Sequence, residues 1–276
     1  MPAVVTLLAF IAVPAVAGIA LSFTDYRGYG AFAWTGVDNY IRLLSDAQAL
    51  SSIGNTVLLA VIVVVGQNLL GLVLALALEA PLRGRRVLQV LFLMPVIISP
   101  VIVSYLWQYI FAPDGALNVI LRAIGMDALA QPWLGQPSTA LGAIAVVVIW
   151  QYTGNAMIIY LAGLLNVPEE LSEAAELDGA GTWQRITRIK LPLIAPAITI
   201  NVVLTTITGL RLFDQILAMT NGGPGYATET IATVIYKRGF SGGEFGYALA
   251  MAIVLTIGIA LLTTVQTILL RRREAS

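Results

Sequence analysis

Glu173-Ala174-Ala175-Glu176-Leu177-Asp178-Gly179-Ala180, running on to Leu191-Pro192, is the longest polar island between apolar runs. Acids crowd its front (Glu169, Glu170, Glu173, Glu176, Asp178) and bases its back (Arg185, Arg188, Lys190). Asn166 is placed to cap a helix with Glu169 at N3 and Pro168 in the first turn, where a missing N–H costs little. Carboxylates in that turn suit the helix dipole. Leu171, Ala174 and Ala175 share a face at helical spacing. Asp178-Gly179 should end this helix, since glycine accepts positive φ. A second helix is expected from Thr182 until Pro192 limits it, burying Trp183, Ile186 and Ile189. The product is a compact helix-turn-helix, with small residues where another protein could approach closely.

Outward from this island the chain is too apolar for a water-facing globule. Of 276 residues, 58% are hydrophobic and 11% charged. The apolar runs are long enough for a bilayer core, which takes about 20 helical residues. Six spans are expected: 3–23, 55–78, 87–111, 139–165, 193–219 and 246–270. Pro95 and Pro100 should kink or interrupt the third. The first span contains Pro14 and lacks a basic leader, so it reads as a retained helix rather than a signal peptide. Tyr26, Tyr29, Trp34 and Tyr40 follow it as an interfacial aromatic group. No repeat or second domain is evident, so 1–276 reads as one all-α membrane domain with its polar loop at 166–192.

Basic residues set the orientation. Arg83, Arg85, Arg86, Arg185, Arg188, Lys190 and Arg271 to Arg273 fall on one side; Arg27, Arg42, Arg122, Lys237 and Arg238 fall on the other. The first group is larger and hugs the helix ends, so it is assigned to the cytoplasm. Both termini and the polar island are then expected inside.

Net charge is zero, which disfavours nucleic acid as a partner. There is no cysteine or histidine, so thiolate chemistry and the commonest general base and metal ligand are missing. No G-x-x-x-x-G-K-[ST] loop is present. Gly222, Gly223 and Gly225 read as a turn outside the membrane, not a phosphate cradle, because no helix start with a Lys follows. The chain is therefore expected to be neither an enzyme nor a metal or cofactor binder.

Polar groups inside spans are costly and usually face a bundle interior or cavity. Span four offers Gln151, Tyr152, Thr153 and Asn155. Span five offers Asn201, Thr205, Thr206, Thr208, Arg211, Asp214 and Gln215, with Arg211 and Asp214 spaced to pair. Neutral amides, hydroxyls and aromatic rings suit a polyhydroxylated solute. Interhelical hydrogen bonding is the competing reading, and it is favoured for Gln67 and Asn68.

The island resembles a known signature. Permease subunits of binding-protein-dependent ABC importers carry E-A-A, three residues, G, nine residues, I, one residue, L-P. Glu173, Ala174, Ala175, Gly179, Ile189, Leu191 and Pro192 match every fixed position. The resemblance implies a type I importer fold of six transmembrane helices with a cytoplasmic coupling helix between spans four and five. It also implies partners: a second homologous permease, two ATP-binding subunits that carry the Mg-ATP, and an extracytoplasmic binding protein. The place implied is the inner membrane of a prokaryote. Glu173, Ala174, Ala175, Asp178 and Gly179 would then couple to the ATPase.

Phe213-Asp214 with Met219-Thr220-Asn221-Gly222-Gly223-Pro224 is similar to the sugar and glycerol-phosphate branch, and more narrowly to the larger maltose permease subunit. By that likeness substrate contacts fall on Val148, Gln151, Tyr152 and Asn155, and on Thr205, Gly209 and Leu212; Thr208 and Asp214 complete the expected site. Val148, Gly209 and Leu212 differ in type from the maltose case, which leaves the sugar open. The extra spans and large outer domain of that subunit are absent here. Rival readings are an ion-gradient-driven secondary transporter, an integral-membrane enzyme, and a permease of the same superfamily for glycerol-phosphate, amino acids or ions.

Overall fold

The computed structural model describes residues 2–80 and 83–274. Met1, Pro81, Leu82, Ala275 and Ser276 lie outside the described residues, as do the side chains of Pro2, Ala3, Arg273 and Glu274. Among the described residues the regular structure is all helical, apart from one isolated antiparallel bridge between Thr24 and Trp34.

Helix α1 (Pro2–Leu7) passes through a π-helical stretch (Leu8–Ala12) into α2 (Val13–Leu21). Short α3 (Asp38–Leu43) precedes the long α4 (Ala47–Glu79), then come α5 (Arg85–Ile97), α6 (Pro100–Phe111), α7 (Ala116–Ala123) and α8 (Pro137–Leu164). The polar island forms α9 (Glu169–Leu177), α10 (Thr182–Arg185), a π-helical stretch (Ile186–Lys190) and α11 (Leu191–Leu193). Beyond it lie α12 (Ala195–Leu210), α13 (Asp214–Thr220), α14 (Ile231–Tyr236) and α15 (Phe245–Glu274).

Four straight segments are long and apolar enough to cross a membrane: Val4–Leu21, Ala47–Glu79, Pro137–Leu164 and Phe245–Arg272. Two bent pairs, Arg85–Ile97 with Pro100–Ala123 and Thr182–Leu193 with Ala195–Leu210, raise the count to six when each is one span. Large apolar side chains such as Phe10, Val57, Val65 and Ile257 point outward along these helices. Lipid solvates such a surface; water would not.

Span three shows why its prolines matter. The two halves meet at 98°. Pro95 lies inside α5 and Pro100 opens α6, so the joint falls on Ile98 and Ser99. A proline cannot donate to the turn before it, and its ring crowds the preceding residue out of the helical region.

Span five departs from expectation. Continuous helix was expected over 193–219, but α12 stops at Leu210 and the chain unwinds through Arg211, Leu212 and Phe213 before α13. The expected pairing of Arg211 with Asp214 assumed an unbroken helix. The break separates them, and no ion pair joins them.

The core is built on α8. Its buried stripe, including Ile144, Val148, Met157 and Tyr160, packs against Leu59, Val63 and Ala75 of α4 and against Ile216 of α13. Gly154 lets α5 lie directly on α8: a Cβ there would collide with the Phe92 carbonyl. Three amides stitch the helices where the chain is otherwise apolar. Gln67 Nε2 donates to the Val148 carbonyl at 3.3 Å. Asn68 Nδ2 donates to Thr205 Oγ1 at 2.9 Å, while its Oδ1 accepts from Asn201 Nδ2 at 2.9 Å and from the Tyr160 hydroxyl. For Gln67 and Asn68 these bonds agree with the interhelical reading.

At the opposite end from the polar island, Asp46 caps α4 by accepting from the Gln48 and Ala49 amides at 3.0 and 3.1 Å. Burial opposes its charge, but the Ala49 amide, the Tyr247 hydroxyl and Arg238 outweigh that and hold the carboxyl below its usual 3.8. Nearby Glu229 is buried and paired with Lys237 at 2.7 Å, and it accepts from Gln48 Nε2 at the same distance. These bonds pin the loop before α14 to the start of α4. The 221–225 stretch is a turn, as expected, with the Gly223 amide bonded to the Thr220 carbonyl at 2.9 Å.

Candidate functional site

Two regions carry the residues singled out in the sequence. The first is the polar island. Helix α9 begins at Glu169 with Pro168 as its cap residue, and no side chain caps it. Asn166 was expected there; instead its Nδ2 turns back to the Ala162 carbonyl at 2.8 Å, extending the end of α8. Gly179 holds φ at +83° and ends α9, as its lack of a Cβ allows. Pro192 does not stop the second helix. It sits in the first turn of α11, where its missing N–H is harmless, and the helical path from Thr182 runs through it to Leu193.

Trp183 was expected to be buried and is not. It is 75% exposed, beside Leu177 at 90% and a half-exposed Leu171. Glu173, Ala174, Asp178 and Gly179 are exposed and Ala175 is partly so. The island thus exposes three large apolar side chains among its acids, more than a water-facing loop ordinarily carries. One pair closes the island on itself and a second ties it to the bundle. Arg185 pairs with Glu176 across the turn, and Lys190 Nζ reaches Glu79 Oε2 at the end of α4 at 2.8 Å. The second pair spans 111 positions of sequence, and neither partner stands out before folding.

The second region is a cavity of about 460 Å³ between α4, α8, α12 and α13, open on one side. Tyr152, Asn155, Thr205, Thr208, Gly209, Leu212 and Asp214 line it, together with Val148 and Arg211. Eight of the nine expected substrate residues, Val148 among them, therefore line one cavity. Two of them also hold the bundle together: Thr205 takes the bond from Asn68, and Gly209 lets α12 approach Ala60 of α4, whose Cα would lie 3.2 Å from an added Cβ. Unwinding at 211–213 turns Arg211 and Asp214 into the cavity as separate charges.

The ninth residue, Gln151, does not line the cavity. It is fully buried, and its Nε2 donates to the Ile98 carbonyl at 3.0 Å, in the joint of span three. Its spacing from Tyr152 and Asn155 gave a broad shared face, but on a helix adjacent positions point about 100° apart. Gln215, which does line the cavity, was visible only as one polar residue among many. No group of His, Cys, Asp and Glu able to hold a metal occurs among the described residues.

Comparison with known proteins agrees with this architecture. A family model described as "Binding-protein-dependent transport system inner membrane component" matches residues 67–275. The chain is 32% identical over 262 residues to the multiple sugar-binding transport system permease protein MsmF of Streptococcus mutans, covering 95% of this chain and 90% of that one. It is 33% identical over 256 residues to the trehalose/maltose transport system permease protein MalF of Thermococcus litoralis, covering 92% and 86%. Among solved structures, a bacterial ABC transporter involved in import of the acidic polysaccharide alginate superposes with a TM-score of 0.88 at 28% identity, covering 99% of this chain and 93% of its counterpart. The same transporter has been solved with an alginate pentasaccharide-bound periplasmic protein. A signature loop hung between spans four and five, a cavity within the bundle and a family match over most of the chain lead to one conclusion: the chain belongs to the inner-membrane permease subunits of binding-protein-dependent ABC importers.

Proposed function

We propose that this permease carries a sugar, a di- or oligosaccharide, released to it by an extracytoplasmic binding protein. The observation that supports this most directly is the cavity. Its polar groups are mostly neutral: a phenol, an amide and hydroxyls from Tyr152, Asn155, Thr205 and Thr208. Hydroxyl-rich solutes need donors and acceptors together, and sugar rings lie against aromatic faces. Relatives named for starch degradation products, multiple sugars, trehalose/maltose and lactose support the same class. Glycerol-phosphate is the second reading, because Arg211 supplies a cation within the wall.

The cavity is open on one side, and a second homologous permease completes it. Two ATP-binding subunits bind Mg-ATP and grip the polar islands. Closure of the ATPases carries α9 as a lever, and the permeases rock between outward-open and inward-open arrangements. Glu173 and Asp178 give α9 a charged docking edge; Ala174, Ala175 and Gly179 allow close approach. Both termini lie in the cytoplasm of a prokaryotic cell. The test is the ATPase rate of the purified complex with its binding protein, measured across maltose, trehalose, raffinose and glycerol-3-phosphate. Stimulation by a saccharide is expected; stimulation by glycerol-3-phosphate alone would replace the sugar reading.

A further inference from the structure

A chain of two buried amides runs from the cavity to the joint of span three. Gln215 is 2% exposed and Gln151 is fully buried. Gln215 Nε2 donates to Gln151 Oε1 at 3.2 Å, and Gln151 Nε2 donates to the Ile98 carbonyl at 3.0 Å. Ile98 lies at the 98° break, where a backbone carbonyl is freed from the helix ladder.

The direction of this chain is forced. A backbone carbonyl only accepts, so Gln151 must turn its nitrogen to Ile98. Its oxygen is then the group left for Gln215, which must answer with nitrogen. The oxygen of Gln215 is the acceptor this chain leaves over, on a side chain that lines the cavity. An amide that is ordinarily free to flip is fixed by a neighbour that never touches the cavity.

We infer that Gln215 is a specificity-determining residue that offers a fixed hydrogen-bond acceptor to a hydroxyl of the solute, and that Gln151 is the positioning residue that fixes it by anchoring the amide chain on Ile98. The hydroxyl follows from the sugar reading above; the anchoring does not. The same chain ties the cavity wall to the joint of span three. A solute that engages Gln215 therefore bears on the bonding of that joint.

The experiment uses the full complex in proteoliposomes, with maltose and its monodeoxy derivatives as probes. One derivative should be imported with a kcat/KM roughly 10-fold below maltose, the order expected for one unmatched buried polar group. Gln215→Met, similar in length and without a polar group, should abolish that difference. Gln151→Met should reduce it although it leaves the cavity wall unaltered. A second readout needs no sugar: hydrogen exchange of the segment 95–103. Gln215→Met should raise exchange there by several-fold, although Gln215 does not touch Ile98. Retained discrimination against the derivative in Gln215→Met overturns the specificity role. Unchanged exchange at 95–103 in Gln215→Met overturns the amide chain. Failure of the wild-type complex to import maltose counts against the sugar reading alone, and the exchange result still decides the chain.

Discussion

Gly179 is the residue on which the polar island turns. Nothing lies within 4 Å of the position a Cβ would take, so a side chain fits in space. Its φ of +83° is another matter, costing a non-glycine residue about 1 kcal/mol. Gly179→Leu adds bulk at an exposed edge of the island as well as this strain. The expected outcome is a complex that still folds and still hydrolyses ATP but loses uptake by roughly 10-fold or more, about 1.4 kcal/mol of coupling. Parallel measurement of ATPase and uptake in proteoliposomes checks it, and undiminished uptake would remove the lever role. Residue identity alone flagged Gly179, because the signature and the conformational freedom of glycine point the same way. It did not separate Gln151 from Tyr152. Which of two neighbours on α8 meets the cavity depends on the rotation of that helix against α4 and α5, and a single polar face does not fix that rotation.

Helices α5 and α8 test how far the bundle depends on close approach. Gly154 of α8 meets the backbone of Phe92 and Leu93, and backbone cannot swing aside as a long side chain can. Gly154→Leu should therefore destabilise by about 1–3 kcal/mol or more, the range for overpacking a filled interior. Lower thermal midpoint and reduced recovery of the detergent-solubilised complex should follow, while Gly142→Leu, where nothing lies within 4 Å, should have little effect. Element existence was legible in the sequence for every long span, since an apolar run of bilayer length has few other stable forms. The bend in span three was legible through Pro95 and Pro100. The unwinding of span five at 211–213 was not. No proline marks it, and Thr208-Gly209-Leu210 reads as an ordinary helix interior apart from one glycine.

At the scale of the molecule, the six-span reading makes a claim about sidedness that geometry within one chain does not depend on. The polar island and the Asp46–Arg238 cluster lie at opposite ends of α4, through the Lys190–Glu79 pair and the Asp46 cap. A cysteine placed at exposed Glu173 or Thr182 should react with an impermeant maleimide only from the cytosolic side in the cysteine-free chain; one at exposed Tyr29 should react only from outside. Labelling in right-side-out and inverted vesicles reads this directly, and the opposite pattern would detach the island from any cytosolic motor. The sequence by itself determined the class, the apolar spans and the signature loop, because these follow from apolar length and a contiguous signature. Tertiary structure decided which polar residues face the cavity, which knit the helices, and where the fifth span opens. Those outcomes rest on helix rotation and on hydrogen bonds such as Gln215–Gln151–Ile98, made between groups far apart in the chain, and low-dielectric burial permits only arrangements in which nearly every such group finds a partner.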